Sequence, residues 1–561
     1  MKETKITAEM LEVVSSNNGL KQYLSGLEVG REATPRSSLY NLEGKTAMLS
    51  PEQVLSKWME TLKRLENGTA EEQKVFQFDS AQAEKYGPQG EVAPIADLMQ
   101  DVVEPTFSTH ARPKAFSSFE WELAKRRVVH MLWHAGAYAL TPVSYTRVVD
   151  DMRARDTLIS NSGWPLFTQR KKPEVIEQSI REAESGEWAK YPAIALFRNY
   201  RQKTRLVWMF PMSANLVEGS YFQPLQRALM NTKYANLQLL LSPWTGFEKV
   251  REFISHAFNS ECCLAASDFS STDAHFGLDT TMEVYDVIKY CFQERYRVGL
   301  RSSLIHMHTI PLVVGLDTMI AGEHGVSSGS NWTNFIETIF DLIFAEYVSI
   351  KEITLKYGEP MSDEQWKDVD DALFFAEGQE IYAGFYAIGD DMSWFVSDDH
   401  YDPSFTDRLT DYGKDVGQII KGEKTTNERT YVKSLQRLFQ KGYLRPDKLV
   451  RAVYPTTRAL NSLVRPEKFH SEKDGWNKDM EAVRAFMILE NCVDHPLFEE
   501  FCAFVALGDP NLRVVAKATA RKQNQLQERA RSIRGLTTTY NQERRESKLS
   551  EFQSVKVIRK L

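Results

Sequence analysis

Residues 385–396 read FYAIGDDMSWFV, with two adjacent aspartates behind a glycine inside a run of apolar and aromatic residues. Like charges placed where a buried strand belongs carry a large desolvation cost unless something positive sits against them. An exposed turn is one answer and a held cation is the other. Upstream, ECCLAASDF (261–269) is an apolar run of strand length that ends near Asp268, the first residue of Asp268-Phe-Ser-Ser-Thr-Asp273. A strand-end carboxylate together with a hairpin-tip pair is a donor set for Mg²⁺, a hard ion held by carboxylates and substrate phosphates. Two such ions about 4 Å apart can activate an attacking hydroxyl and neutralise a leaving pyrophosphate. Gly-Asp-Asp alone is weak grounds for this, because the tripeptide is common in turns.

Its neighbours in the chain add weight. Between the aspartate sites, Ser328-Gly329-Ser330-Asn331-Trp332-Thr333 precedes a helical pattern. The glycine there makes a tight turn that exposes backbone N–H groups at a helix start, suited to a sugar or a phosphate. Arg201-Gln-Lys203-Thr-Arg205 puts cations at alternate positions. On a strand or extended loop these point one way, either as a rail for a triphosphate or as charge protecting an edge strand. His306 and His308 would share a side on a strand, but with no nearby Cys or third His they read as core or surface histidines. Cys262 and Cys263 read as buried free thiols.

Elements that could position these residues follow from periodicity. Leu278, Met282, Tyr285, Ile288 and Phe292 form one helical stripe, and Ile336, Ile339, Ile343 and Tyr347 form another on a helix from about Asn331. YAGFYAI and MSWFV flank Gly-Asp-Asp as two arms of a β-hairpin with the aspartates at its tip. WELAKRRVVHMLWHAGAYAL has helical spacing, and the chain turns mostly helical after about residue 430. The first hundred residues read as a polar, irregular, peripheral segment with a few helices. The order predicts an α+β protein built on a central sheet.

Composition narrows the class. A chain of 561 residues with 42% hydrophobic and 26% charged residues is ordinary globular material, too long for a single small core. Five cysteines without CxxC spacing point away from zinc knuckles and disulfides, toward a reducing compartment. No apolar run approaches the roughly 18 residues of a membrane span, and MKETKITAEMLEVV lacks a signal-peptide core, so a soluble intracellular protein is expected. The net charge of −7 hides an asymmetry: from Arg513 onward there are 13 Lys/Arg against 4 Asp/Glu, leaving about −16 on the first 512 residues. A basic tail suits a polyanion, or is simply a solvated helix.

Taken together, the segments resemble the viral RNA-dependent RNA polymerase family, in the family's own order. RQKTR is similar to the incoming-nucleotide motif, DFSSTD to the first catalytic motif, SGSNWT to the sugar-selecting loop and helix, and GDD to the catalytic hairpin. Ser160-Asn-Ser162-Gly163-Trp-Pro165 resembles the motif where the template comes in, and Lys421-Gly-Glu-Lys424 lies where the family carries a proton-donating lysine. The likeness spans roughly residues 150–450 and is greatest to the small polymerases of picobirnaviruses and partitiviruses, whose genomes are segmented double-stranded RNA.

The resemblance implies a right-hand polymerase of α+β class, with an antiparallel palm sheet flanked by helices and a closed fingers–thumb arrangement. Residues 1–110 would bridge fingers and thumb, 111–250 and 296–325 form fingers, 251–295 and 326–435 form the palm, and 436–561 form a helical thumb with the basic tail. Asp268 and Asp390 would be the main ligands of two Mg²⁺ (or Mn²⁺) ions, with Asp391 assisting. Arg201, Lys203 and Arg205 would bind the triphosphate. Asp273, Ser328 and Thr333 would read the ribose 2′-hydroxyl, beside Gly329 and Asn334. Lys424 would be the general acid, with Lys421 competing for that role, and Ser162 and Gly163 would guide the template. One departure stands out: Glu337 occupies the place where the family has Asn, and Asn334 is a candidate stand-in.

The implied activity is primer-independent replication and transcription of a viral RNA genome. The partners would be RNA template, product duplex and ribonucleoside triphosphates, with a capsid protein as a further candidate. The enzyme would act as a monomer, off membranes, in host cytoplasm and virion interior. Arg529, Arg531, Arg534, Arg544 and Arg545 of the tail would contact duplex phosphates or plug the channel. Two rivals remain at this level: a reverse transcriptase, which usually has an aromatic residue at the place of Asp273 and Tyr-x-Asp-Asp at the hairpin, and a non-catalytic RNA-binding virion protein.

Overall fold

A computed structural model of the chain describes residues 1–40, 48–358, 379–533 and 547–561. The strands, in chain order, are β1 (Lys2–Lys5), β2 (Ala193–Tyr200), β3 (Lys203–Met209), β4 (Cys262–Asp268), β5 (Leu312–Val313) and β6 (Thr318–Ala321). After them come β7 (Ala383–Ile388), β8 (Asp391–Ser397), β9 (Thr426–Glu428), β10 (Tyr431–Ser434) and β11 (Arg437–Gln440). They make a four-stranded antiparallel sheet ordered β7-β8-β4-β9, a five-stranded mixed sheet ordered β1-β6-β5-β2-β3, and the β10–β11 hairpin.

The four-stranded sheet is apolar on both faces, and residue alternation explains why. Cys263, Ala265, Met392, Trp394 and Val396 enter one core, with Trp121, Phe340 and Phe344 from the helices Phe119–His134 and Trp332–Tyr357. Cys262, Leu264, Ala266 and Phe395 enter the opposite core, against Val250, Ile254 and Phe258 of the helix Phe247–Asn259. The sheet is therefore a rigid slab held between helices. The pattern also accounts for the cysteines, all five of which are free and buried. The long helix stops at Gly358, whose φ of +89° closes the last turn.

Four expectations need correction. His306 and His308 lie not on a strand but on the helix Glu294–Thr309, where His308 hydrogen-bonds Thr281 and the His324 carbonyl. The predicted 278–292 helix ends at Ile288, and Phe292 is buried beyond it. The first hundred residues are not an irregular periphery. Within them the helix Asn18–Val29 packs Leu20 and Leu24 on the mixed sheet, while the helix Pro51–Leu62 buries Trp58 among Leu460, Phe486 and Phe501 of the C-terminal helices. Their apolar positions are at helical spacing but diluted by polar residues, so tertiary packing rather than local periodicity reveals them.

The basic tail, finally, is not simply a solvated helix where it is described. Helices Asn511–Lys517, Ala520–Arg531 and Gln553–Lys560 bury Leu512, Leu526, Val555 and Ile558 in the C-terminal core. Arg529 donates to the Gly475 carbonyl and Arg531 pairs with Glu528, whereas Arg534, Arg544 and Arg545 lie outside the described residues.

Candidate active site

The catalytic candidates meet at the common end of two central strands. β4 ends on Asp268 and β8 begins on Asp391, and the two are direct partners in the antiparallel ladder. The Phe269 N–H donates to the Asp390 carbonyl at 3.0 Å, fixing the turn against β4. Gly389 takes φ +61°, and a Cβ there would stand 2.7 Å from the Asn334 amide nitrogen. Its own N–H donates to the Thr338 hydroxyl at 2.9 Å. The glycine is thus required both by the turn and by the helix Trp332–Tyr357 behind it. Farther along, the Ser393 hydroxyl donates to the Ala265 carbonyl and Trp394 Nε1 to the Ser267 hydroxyl, pinning β8 to β4.

The electrostatics of this corner are those of accumulated negative charge. Asp390 and Asp273 are exposed on one side, yet protein surrounds their other sides. Lost hydration raises both, followed for Asp273 by repulsion from Asp390, which puts Asp273 at about 6. Burial, then Asp390 and Asp268, lift Asp391 to about 7. Beneath them, burial, Asp390 and Asp273 hold Glu337 well above the carboxylate range. Asp341, one helical turn on and without a hydrogen-bond partner for either oxygen among the described residues, is raised in the same way.

Cations face this group. Lys203 and Arg205 on β3 pull down Asp273 and Asp390, while burial, Arg205 and Lys424 lower Lys203 itself. Lys424 Nζ stands 3.9 Å from Asp268 Oδ2. Lys421 instead supplies backbone, its carbonyl accepting from the Lys424 N–H. Among the described residues, no three or more His, Cys, Asp or Glu side chains are already drawn together as ligands of one ion. Like-charged carboxylates repel one another, and Asp268 turns toward Lys424.

Arg201 departs from the expected rail. It occupies the β2–β3 turn with Gln202, at φ of +54° and +62°, so strand alternation does not reach it. Its guanidinium donates to Gln82 Oε1 at 2.7 Å and its N–H to Gln89 Oε1 at 3.2 Å, away from the carboxylates.

The sugar-reading set divides in a similar way. Thr333 is buried and its hydroxyl donates to the Ser327 carbonyl at 2.7 Å, so it shapes the loop from within. Ser328 Oγ donates to the Leu206 carbonyl on β3. At Gly329 a Cβ would fall 1.5 Å from the Trp208 carbonyl oxygen, an approach open only to glycine. Asn334 is exposed at the Gly389 turn.

Ser162 is buried, with its hydroxyl accepting from the Thr168 N–H, and Gly163 presses on the Phe210 carbonyl. Both residues build the loop from within: the Ser162 N–H donates to the Thr168 carbonyl, the Gly163 N–H to Asn161 Oδ1, and their carbonyls accept from Met212 and Phe167. Thr338 and Asp341 escaped sequence reading, although polar residues on an otherwise apolar helix face were a usable signal.

Residues 200–454 match the family model described as viral RNA-dependent RNA polymerase. Fold, site and match define the class: a right-hand α+β polymerase, an RNA-directed RNA polymerase and hence a nucleotidyltransferase, whose residues 200–454 are similar to the viral RNA-dependent RNA polymerase family. The particular likeness is to the polymerases of small double-stranded RNA viruses. Over 528 residues the chain is 24% identical to a potential RNA-dependent RNA polymerase of human picobirnavirus (strain Human/Thailand/Hy005102/-), covering 88% of this chain and 85% of that one. It is 23% identical over 237 residues to an RNA-directed RNA polymerase of Cryptosporidium parvum virus 1 (strain KSU-1), covering 39% and 42%. The crystal structure of a human picobirnavirus RNA-dependent RNA polymerase superposes with a TM-score of 0.76 at 20% identity, over 99% of this chain and 100% of that one. Among the described residues, no helix is long and apolar enough to cross a membrane.

Proposed function

We propose that this chain replicates and transcribes a viral RNA genome by joining ribonucleotides on an RNA template with two divalent ions. The observation that carries this reading is the gathering of Asp268, Asp390 and Asp391 at one end of β4 and β8, opposite Lys203, Arg205 and Lys424. The donor set is hard carboxylate oxygen carrying excess negative charge, which fits Mg²⁺ or Mn²⁺. Asp268 and Asp390 would hold the ions and Asp391 would assist. Bound there, the metal would favour an ionised primer hydroxyl and offset charge on the leaving pyrophosphate.

The protein's own groups supply the remainder. Lys203 and Arg205 draw the triphosphate toward the aspartates, through hydrogen bonds strengthened by charge. Asp273 accepts a hydrogen bond from the ribose 2′-hydroxyl, with Asn334 at its flank, and a deoxyribose leaves that acceptor unpaired. Lys424 gives a proton to the departing pyrophosphate.

In this reading the palm comprises 251–295 and 326–435, the fingers 111–250 and 296–325, and the thumb 436–561. Residues 1–110 bridge fingers to thumb, supported by Trp58 packing in the C-terminal core while Leu20 packs on the mixed sheet. The same reading includes primer-independent initiation by a monomer, inside the virion and the host cytoplasm, with a capsid protein as a further partner.

The test is synthesis from a single-stranded RNA template with four ribonucleotides and Mg²⁺ or Mn²⁺. Template-length product that chelator abolishes, absent for Asp390→Ala, is expected. Equal use of deoxyribonucleotides would favour a reverse transcriptase, and RNA binding without synthesis would overturn the reading.

A further inference from the structure

We propose that Glu218 is a positioning residue for ribose selection, holding loop 327–331 in register with the Gly389–Asp391 turn through a buried network that includes Asn215 and Arg170. This inference rests on the polymerase reading and deepens it.

Glu218 and Asn215 share one turn of the helix Met212–Met230, and each is 1% exposed. A buried carboxylate is costly unless each lone pair is used. Glu218 meets that demand almost entirely from the loop. Its Oε1 accepts the Ser330 hydroxyl at 2.6 Å, and its Oε2 accepts the Asn331 N–H at 2.8 Å and Asn215 Nδ2 at 3.0 Å. Asn215 completes the grip: its Nδ2 also donates to the Gly329 carbonyl at 3.2 Å, and its own carbonyl accepts from Asn331 Nδ2 at 3.0 Å. Arg170 Nη2 donates to Asn215 Oδ1 at 2.8 Å and its Nε to the Asn161 carbonyl at 2.9 Å, orienting the amide and bringing a positive charge toward Glu218.

The loop is therefore clamped twice. Its near end is tied to β3 through Ser328 and the Gly329–Trp208 approach, and its far end to Glu218. What the clamp fixes is the start of the helix Trp332–Tyr357. Three residues after Asn331 comes Asn334, against Gly389, and beyond it Glu337 and Thr338 touch the same turn. A shift of the Asn331 amide would move Asn334 relative to Asp390 and Asp273, where the sugar is read. Hydrogen-bond geometry explains why the residue is an acid. A glutamine has one acceptor oxygen: placed toward Asn331 N–H and Asn215 Nδ2, it leaves an NH₂ in place of the oxygen that accepts the Ser330 hydroxyl, so that bond must reverse and the hydroxyl must turn, and the opposite orientation sets NH₂ against two donors.

Glu218→Gln, Glu218→Ala and Ser330→Ala are compared with wild type in the full chain. Thermal midpoints and template RNA affinity are measured alongside kcat and KM for ribo- and deoxyribonucleotide incorporation. Glu218→Gln is expected to keep its midpoint within a few degrees and to bind template normally. Its kcat/KM for ribonucleotides should drop roughly 10- to 100-fold, with a much smaller change for deoxyribonucleotides, so discrimination falls. Ser330→Ala, which removes one donor on the loop side and no buried charge, should show the same bias at smaller size. If Glu218→Gln fails to fold, Ser330→Ala decides the matter. Unchanged discrimination in the folded variants, or equal loss with both sugars, overturns the proposal. Wild-type protein without template-directed synthesis would instead overturn the polymerase reading on which it rests.

Discussion

Asp268 and Asp391 stand directly opposite one another across β4 and β8, although three strands, β5 to β7, and the helix Trp332–Tyr357 lie between them in the chain. Neighbours so paired in an antiparallel ladder project to the same side of the sheet, and Asp390 lies next to them at the turn.

That geometry makes the three aspartates unequal. Asp390 is exposed on one side, so Asp390→Ala removes a principal ligand and should reduce nucleotide incorporation by about 10³-fold or more, the worth of several kcal/mol of charge stabilisation. Asp391 is more enclosed, and Asp391→Asn should retain more activity than Asp390→Asn. Single-nucleotide incorporation rates, with RNA binding as a control, check the ranking. Equal loss in the two variants would contradict it.

The basic stretch separates by position. Lys203→Ala and Arg205→Ala should each raise the KM for nucleotide about 10-fold or more, from the loss of a charge-assisted hydrogen bond of roughly 1.5–3 kcal/mol. Arg201→Ala should leave KM nearly unchanged and lower the thermal midpoint instead, because its guanidinium holds Gln82. A KM effect at Arg201 matching that at Lys203 would contradict the turn geometry.

Much of this was legible in the chain. The palm hairpin was readable because its apolar arms and Gly-Asp-Asp break agree locally, and Asp268 because it closes a short run that is apolar up to Ser267. Arg201 was misread because alternation holds only within a strand, and nothing in RQKTR announces a turn formed by two non-glycine residues at positive φ. Thr333 was read as facing the ligand, while its hydroxyl serves the Ser327 carbonyl, a bond that depends on how the loop folds back. The helices of the first hundred residues were missed because their apolar faces make sense only against a core contributed by residues hundreds of positions away. Glu218 was invisible for the same reason: the helix that carries it meets Ser330 and Asn331 of a loop more than a hundred positions on.

Lys424 is distinguished from Lys421 by its place at Asp268. A positioned general acid contributes about 10²–10⁴-fold. Lys424→Leu should therefore slow the chemical step by about that factor, and Lys424→Arg should recover charge but little rate. Lys421→Ala should stay within about threefold of wild type on the same scale. Rapid-quench measurement of a single incorporation separates these from effects on binding. A larger loss at Lys421 would reassign the acid.

The raised carboxylates give a pH dependence whose sign is fixed. Asp273 at about 6 and Asp391 at about 7 bind protons more tightly in the folded chain than at the unfolded value near 3.9. Between those limits the folded state carries more protons than the unfolded one, so stability falls as pH rises from about 4 toward 7. Divalent ions compete with those protons, so added Mg²⁺ should raise the thermal midpoint more at pH 8 than at pH 5.5. Asp391→Asn should flatten the fall seen without metal and shrink the Mg²⁺ increment. Thermal melts across pH, with chelator or with Mg²⁺, check both. A midpoint that climbs with pH in chelator, or a Mg²⁺ increment that Asp391→Asn leaves intact, would show that these carboxylates are not where negative charge accumulates.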